Sequence, residues 1–122
     1  MELNVIIEDW IHYEIPISSI ATSFTEVGCF KDTSSRAISG GNVNFPANSV
    51  IQKCFERAKE AGNEYFAVQY NVECYTSKDA GSTYNKYGKG SGCKNGRGGG
   101  WLMTVYRINQ KGTYFEIASL AI

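Results

Sequence analysis

Four cysteines, Cys29, Cys54, Cys74 and Cys93, are spread through a chain of 122 residues with intervening stretches of 24, 19 and 18 residues. How they pair decides which parts of the chain must lie together. An even count in so short a chain reads as two disulfides and an oxidising compartment. No CxxC pair occurs, which argues against a zinc site and against thioredoxin-type exchange. Arithmetic alone leaves three pairings open. The start MELNVIIEDW has neither the basic leader nor the small-residue cleavage site of a secretory signal. Two expectations follow: a leader removed and Met1 added, which is favoured, or a cytosolic protein with free thiols.

The composition is that of one globular domain, 43% apolar and 20% charged, so a disordered chain is excluded. No apolar run is long enough to span a membrane as a helix. A single histidine, His12, nearly excludes a His-rich metal site and a set of acid–base imidazoles; beside Trp10 and Tyr13 it reads as a strand residue. The balanced net charge hides an asymmetry. Residues 1–27 carry Glu2, Glu8, Asp9, Glu14 and Glu26 and no base, whereas seven bases between Lys78 and Lys111 face one acid, Asp79. That excess could attract an acidic ligand, or it could be solvated loop lysines. No interleaved basic–aromatic signature or recognition helix points to nucleic acid.

Along the chain, Leu3 to Ile17 has strand chemistry and Ser18 to Thr25 reads as a polar connector. A short strand is expected around Val27–Phe30, then a loop from Lys31 to Asn44. Ser49 to Ala61 is the one clear helix, with Asn48 or Ser49 as cap, Gln52 completing a capping box and Gly62 as a left-handed stop. Ile51, Cys54, Phe55, Ala58 and Ala61 fall on one apolar face, which turns Cys54 toward the core. Tyr65 to Tyr70 alternates as a strand with Phe66, Val68 and Tyr70 on one side, and Glu73–Cys74–Tyr75 follows. Thr76 to Gly100 is a glycine-rich loop, Trp101 to Ile108 a strong strand with Trp101 in the core sooner than exposed as a stacking platform, Asn109 to Gly112 a turn, and Tyr114 to Ile122 a last strand. One helix among several strands without a βαβ rhythm predicts an α+β fold with a mostly antiparallel sheet.

Neither GxxxxGK[ST] nor GxGxxG occurs in any register of Gly88–Gly100, so no phosphate loop is present. No Ser–His–Asp set exists beyond the lone His12 and nothing selects a pair of carboxylates, so no enzyme is expected. No group of closely spaced acids implies calcium, and no cofactor is called for.

The ordered set Val27-Gly28-Cys29-Phe30-Lys31-Asp32, Ser35-Arg36-Ala37-Ile38, the helix with Cys54, Tyr65-Phe66-Ala67-Val68-Gln69-Tyr70-Asn71-Val72-Glu73-Cys74, then Cys93, Gly98-Gly99-Gly100-Trp101 and Val105-Tyr106 resembles the WSC domain. The resemblance covers about residues 26–108 of a single domain spanning 1–122, with 1–24 and 112–122 as extensions outside it. It implies a PAN/apple-type fold, a helix across a twisted antiparallel sheet. It also implies the pairs Cys29–Cys93 and Cys54–Cys74, the second of which the helix face suggests independently. The family usually carries eight cysteines, so four are missing here, which touches the ligand loops more than the fold.

The resemblance further implies a non-catalytic carbohydrate-binding module. Sugars are held by aromatic rings stacked on their C–H faces and by planar polar groups that bond adjacent hydroxyls. Tyr70, Asn71, Glu73 and Tyr75, with Tyr84 and Lys86 in the long loop, are suitable. Arg36 is either the partner of Asp32 in a buried ion pair or a ligand contact. The leading expectation is a secreted lectin-like module, for an anionic glycan if the basic loop takes part. The alternative is a protein-interaction or self-assembly module, such as an oligomeric defence, toxin or matrix protein, built through the terminal strands.

Overall fold

The computed structural model describes residues 23–109. The expected strands within 3–17 and 114–122, Trp10, His12, most of the 18–25 connector and of the 109–112 turn, and with them the terminal-strand assembly, lie outside the described residues. Seven elements follow in order: β1 (Phe24–Lys31), β2 (Asn42–Asn44), α1 (Val50–Ala61), β3 (Tyr65–Gln69), β4 (Glu73–Thr76), α2 (Ala80–Thr83) and β5 (Leu102–Ile108). The strands form one sheet of order β1-β5-β3-β4-β2 with every neighbouring pair antiparallel. The α+β expectation holds.

Both faces of the sheet are covered. On one, Phe66, Val68, Cys74, Tyr106 and Ile108 meet Val50, Cys54, Phe55 and Ala58 of α1. On the other, Phe30, Ala67, Tyr75, Met103 and Val105 meet Ala37, Ile38 and Ala80, with Tyr65, Tyr84 and Tyr87 at the margin. This explains why β3 and β5 are buried at nearly every position instead of alternating with solvent. Cys54–Cys74 ties α1 to β4 beneath the first face, and Cys29–Cys93 ties β1 to the glycine-rich loop. Both pairs match the family-based expectation. In the chain-entropy description, closing loops of 20 and 64 residues stabilises the fold by about 3 and about 4 kcal/mol.

Several local readings are corrected. β1 is longer than Val27–Phe30 and takes up Phe24 and Thr25 from the expected connector, because it pairs along β5 with a bulge between Glu26 and Gly28. Phe24 anchors that extension, its ring lying 4.9 Å from Phe55 and 5.4 Å from both Phe66 and Tyr106. The expected 31–44 loop ends in β2, whose exposed side chains carry no periodic signal; its place is fixed by backbone pairing to β4.

The helix begins at Val50 with Ser49 as N-cap, but no capping box forms. Ser49 has ψ near 0° and its hydroxyl donates to Pro46 O (3.4 Å), while the Gln52 amide donates to Glu56 (3.2 Å). Gly62 closes the helix in the left-handed region as expected, with φ 75°. Val50 joins the buried face and Ala61 is exposed. The 76–100 loop contains α2, a single turn seated by buried Ala80. β3 ends at Gln69, so Tyr70 leaves the Phe66–Val68 face, and β5 begins at Leu102, so Trp101 is not core.

Tyr106 is the buried titratable group of the helix-side core. Its hydroxyl donates to Gly96 O (2.6 Å), and burial first, then the charge of Glu26, pushes its pKa up to about 12 against the pull of Arg97. A raised folded-state pKa means the contribution is complete below the ordinary tyrosine value of about 10 and is lost as pH rises through about 12. Stability measured by denaturant should therefore fall across that window, and Tyr106→Phe should flatten the fall; parallel slopes in both proteins would refute the assignment.

Candidate functional site

Three loops converge at the end of the sheet where β3 turns into β4. The 70–72 connection carries two non-glycine residues in the left-handed region, Tyr70 (φ 51°) and Asn71 (φ 67°). The glycine-rich run then crosses this turn. Tyr70 N donates to Gly99 O and Asn71 N to Arg97 O, each at 3.2 Å. Gly99 and Leu102 exchange backbone bonds around Gly100 and Trp101, and Trp101 (φ 58°) takes the turn position that glycine ordinarily fills. Asp32 N donates to Trp101 O (3.1 Å), which brings in the third loop, residues 32–38.

Gly98 allows this convergence. It has φ 66°, and a Cβ there would run into Leu102 O and lie 2.7 Å from Val68 O, so no side chain fits. Gly98→Ala is expected to lower stability by about 3 kcal/mol or more, read as a drop in melting temperature. A melting curve unchanged from the parent would refute the close approach.

Beneath the loops lies a buried polar knot. The Asp32 carboxylate, its side chain 2% exposed, accepts from Ala37 N (2.9 Å) and from Arg36 Nη1 (3.0 Å). Gln69, with its amide oriented to satisfy both neighbours, donates to Asp32 Oδ2 (2.9 Å) and accepts from Arg36 Nη1 (3.1 Å). Such a carboxylate tolerates burial because its lone pairs are filled and its charge is matched. The expected Asp32–Arg36 pair therefore exists. Arg36 also remains 34% exposed, with its guanidinium carbon 4.8 Å from the Trp101 ring centre and 5.2 Å from that of Tyr75. Among the described residues, no acceptor engages its Nη2 or Nε.

Above the knot opens a cleft of about 210 Å³ lined by Arg36, Gln69, Tyr70, Glu73, Gly100 and Trp101. Tyr70 is 63% and Trp101 51% exposed. Glu73 Oε1 accepts from the Tyr75 hydroxyl (3.0 Å), to which Asn42 donates in turn (3.3 Å). Burial, reinforced by Glu73, raises the Tyr75 pKa and keeps it a donor. The cleft thus offers two aromatic faces, a guanidinium with unused donors and a carboxylate acceptor within one small concavity.

Of the residues singled out from sequence, Arg36, Tyr70 and Glu73 line the cleft, Tyr75 supports it from below, and Asn71 flanks it on the same turn as Tyr70. Tyr84 and Lys86 are not in its lining. Tyr84 packs against Phe30 (4.9 Å) and Tyr65 (5.3 Å), and Lys86 lies 5.4 Å from the Tyr87 ring. Gln69 and Trp101 also line the cleft; Gln69 is not singled out by the sequence, and Trp101 is favoured there as core over a stacking platform. Gln69 was readable as a polar residue in an otherwise apolar strand. The run of glycines before Trp101 was the signal for a turn, and the aromatic after it was assigned to the strand instead.

A small α+β sheet stapled by two disulfides, with an open aromatic cleft made by its loops, is the architecture of an extracellular or cell-surface binding module. The family model of the WSC domain matches residues 26–98, more than half of the chain, and the chain belongs to that family. WSC domains are in general non-catalytic modules of carbohydrate-binding type. No curated protein matches the chain. Among the described residues no helix is long and apolar enough to cross a membrane.

The knot makes a further outcome testable. Asp32→Ala would leave the Arg36 guanidinium, the Gln69 amide and Ala37 N without their shared acceptor. Removing one partner of a buried pair should cost about 3 kcal/mol, measured by denaturant unfolding. A loss below about 0.5 kcal/mol would place the pair among inconsequential surface bridges.

Proposed function

We propose that the cleft formed by Arg36, Gln69, Tyr70, Glu73 and Trp101 is a saccharide-binding site, and that the protein acts as a secreted or cell-surface lectin-like module without catalytic activity. One observation carries this reading. Two large aromatics are held exposed, in backbone conformations that non-glycine residues rarely adopt, on the rim of a concavity containing a donor and an acceptor. A sugar ring stacked on Trp101 or Tyr70 would bring adjacent hydroxyls to the unused donors of Arg36 and to the carboxylate of Glu73. Asn71 extends the polar rim. Residues 26–108 form the binding core in this reading, and the terminal segments are additions to the same domain.

The anionic refinement finds little support at the cleft. None of the six described bases between Lys78 and Arg107 is in its lining. Lys78 instead donates to Ala61 O (3.1 Å) at the C-terminal end of α1, a structural role that suits a cation there. Among the described residues the one cation lining the cleft, Arg36, is matched by Asp32.

Trp101→Gly tests the site. Glycine relieves the left-handed backbone by about 1–2 kcal/mol, against the loss of a ring packed on Arg36 that is worth about 0.5–1 kcal/mol. The melting temperature should therefore stay within a few degrees of the parent or rise. Retention on an immobilised glycan array should fall about tenfold or more, the equivalent of about 1.4 kcal/mol. Unchanged retention would move the binding site elsewhere.

A further inference from the structure

We propose that Glu73 makes the cleft selective for amine-bearing saccharides, those with an ammonium beside ring hydroxyls, over neutral and acidic ones. The inference rests on the saccharide-binding reading of the same cleft and goes beyond it by assigning the sign of the charge that is recognised.

The argument is a local charge balance. Arg36 contributes one positive charge to the cleft wall, and its Nη1 is committed at 3.0 Å to Asp32, which is buried behind it. That pair is neutral as a unit. Glu73 lines the same cleft, and among the described residues no cation lies within ion-pair distance of it. Its Oε1 is occupied by a neutral donor, the Tyr75 hydroxyl, whose raised pKa keeps the proton on the phenol. Among the described residues no protein donor engages Oε2. The cleft therefore carries one unmatched negative charge, fixed in direction by the Tyr75 contact.

The walls add to this preference. Aromatic faces carry negative potential and attract ammonium groups, and Tyr70 and Trp101 expose theirs at the rim. A carboxylated or sulfated sugar would meet Glu73 with like charge, and its one counter-charge, Arg36, is already shared with Asp32. A sugar with an ammonium substituent stacks equally well, donates to Glu73 as a charge-assisted hydrogen bond, and leaves its hydroxyls for the remaining donors of Arg36.

The test uses the full chain with its disulfides intact and four oligosaccharides matched in length: β-linked glucosamine, the same oligomer N-acetylated, glucose, and glucuronic acid. At low ionic strength, glucosamine oligomer should be bound about fivefold to tenfold more tightly than the two neutral oligomers, with the acidic one weakest. The gap should close as salt is raised. In Glu73→Gln, checked by thermal melting to retain the fold, glucosamine oligomer should bind within about twofold of the neutral oligomers on that variant. Equal affinity of the parent for glucosamine and neutral oligomers, or tighter binding of the acidic one, would overturn the charge assignment and leave the saccharide reading standing. Retention of none of the four would sink the saccharide reading, and this inference with it.

Discussion

At Gly98 the backbone of the glycine-rich segment passes between the carbonyls of Val68 and Leu102 at a distance that admits no Cβ. This close passage lets the segment lie over the end of β3. From there it hydrogen-bonds the Tyr70–Asn71 turn and reverses through Gly100 and Trp101 into β5. Remove it and the three loops of the cleft lose their common backbone. The second condition is the Cys29–Cys93 bridge, which holds the same segment to β1 five residues earlier in the chain. Gly88 and Gly90 reinforce that attachment through backbone bonds with Lys31 and Cys29. A run of residues too glycine-rich to order itself is thus fixed at both ends by contacts from the sheet.

The two readings of Arg36 that the sequence left open are not exclusive. A guanidinium has five N–H donors in a planar fork. Here one nitrogen serves Asp32 and Gln69, the face of the group lies near Trp101, and the remaining edge has no protein acceptor among the described residues. In the proposed site the structural role would prepare a binding one, because an arginine already immobilised by a buried carboxylate loses less side-chain freedom when a ligand arrives. Gln69 is the hinge of the arrangement. It is the one polar side chain β3 buries, and it reads both charges at once by donating to the carboxylate and accepting from the guanidinium.

What was legible in the sequence follows from where the determining forces are local. The helix announced itself by spacing and by Gly62, whose left-handed conformation a glycine supplies at least cost. β3 and β5 were visible as apolar runs, and the family motif supplied the disulfide pairing. β2 was invisible because none of its three side chains is buried and its place is set by backbone pairing to β4, to which Asn42 adds one side-chain bond. The start of β1 was hidden by the polar residues around Phe24, whose ring contacts lie tens of residues away in α1, β3 and β5. Arg36, Tyr70 and Glu73, which the family resemblance and their chemical type together single out, line the cleft. Trp101 was misplaced because a tryptophan before a strong strand ordinarily belongs to the core, and only the convergence of three loops turns it outward.

Exposed aromatics in left-handed turns are costly in two ways: the backbone is strained by about 1–2 kcal/mol at each such residue, and apolar surface is left in water. Two such residues, Tyr70 and Trp101, sit together at one cleft, with Asn71, which tolerates this region better, beside Tyr70. Strain of that size must be offset elsewhere in the fold, and the loop closed by Cys29–Cys93 is of the right order, about 4 kcal/mol. The bridge also lies on the segment that carries the strain. Cys54–Cys74 is placed differently: it locks α1 on β4, under the sheet, where the aromatic cluster of Phe24, Phe55, Phe66 and Tyr106 already packs. The two bridges therefore differ in place, one between helix and sheet beside the aromatic core and the other on the segment that carries the strained turns.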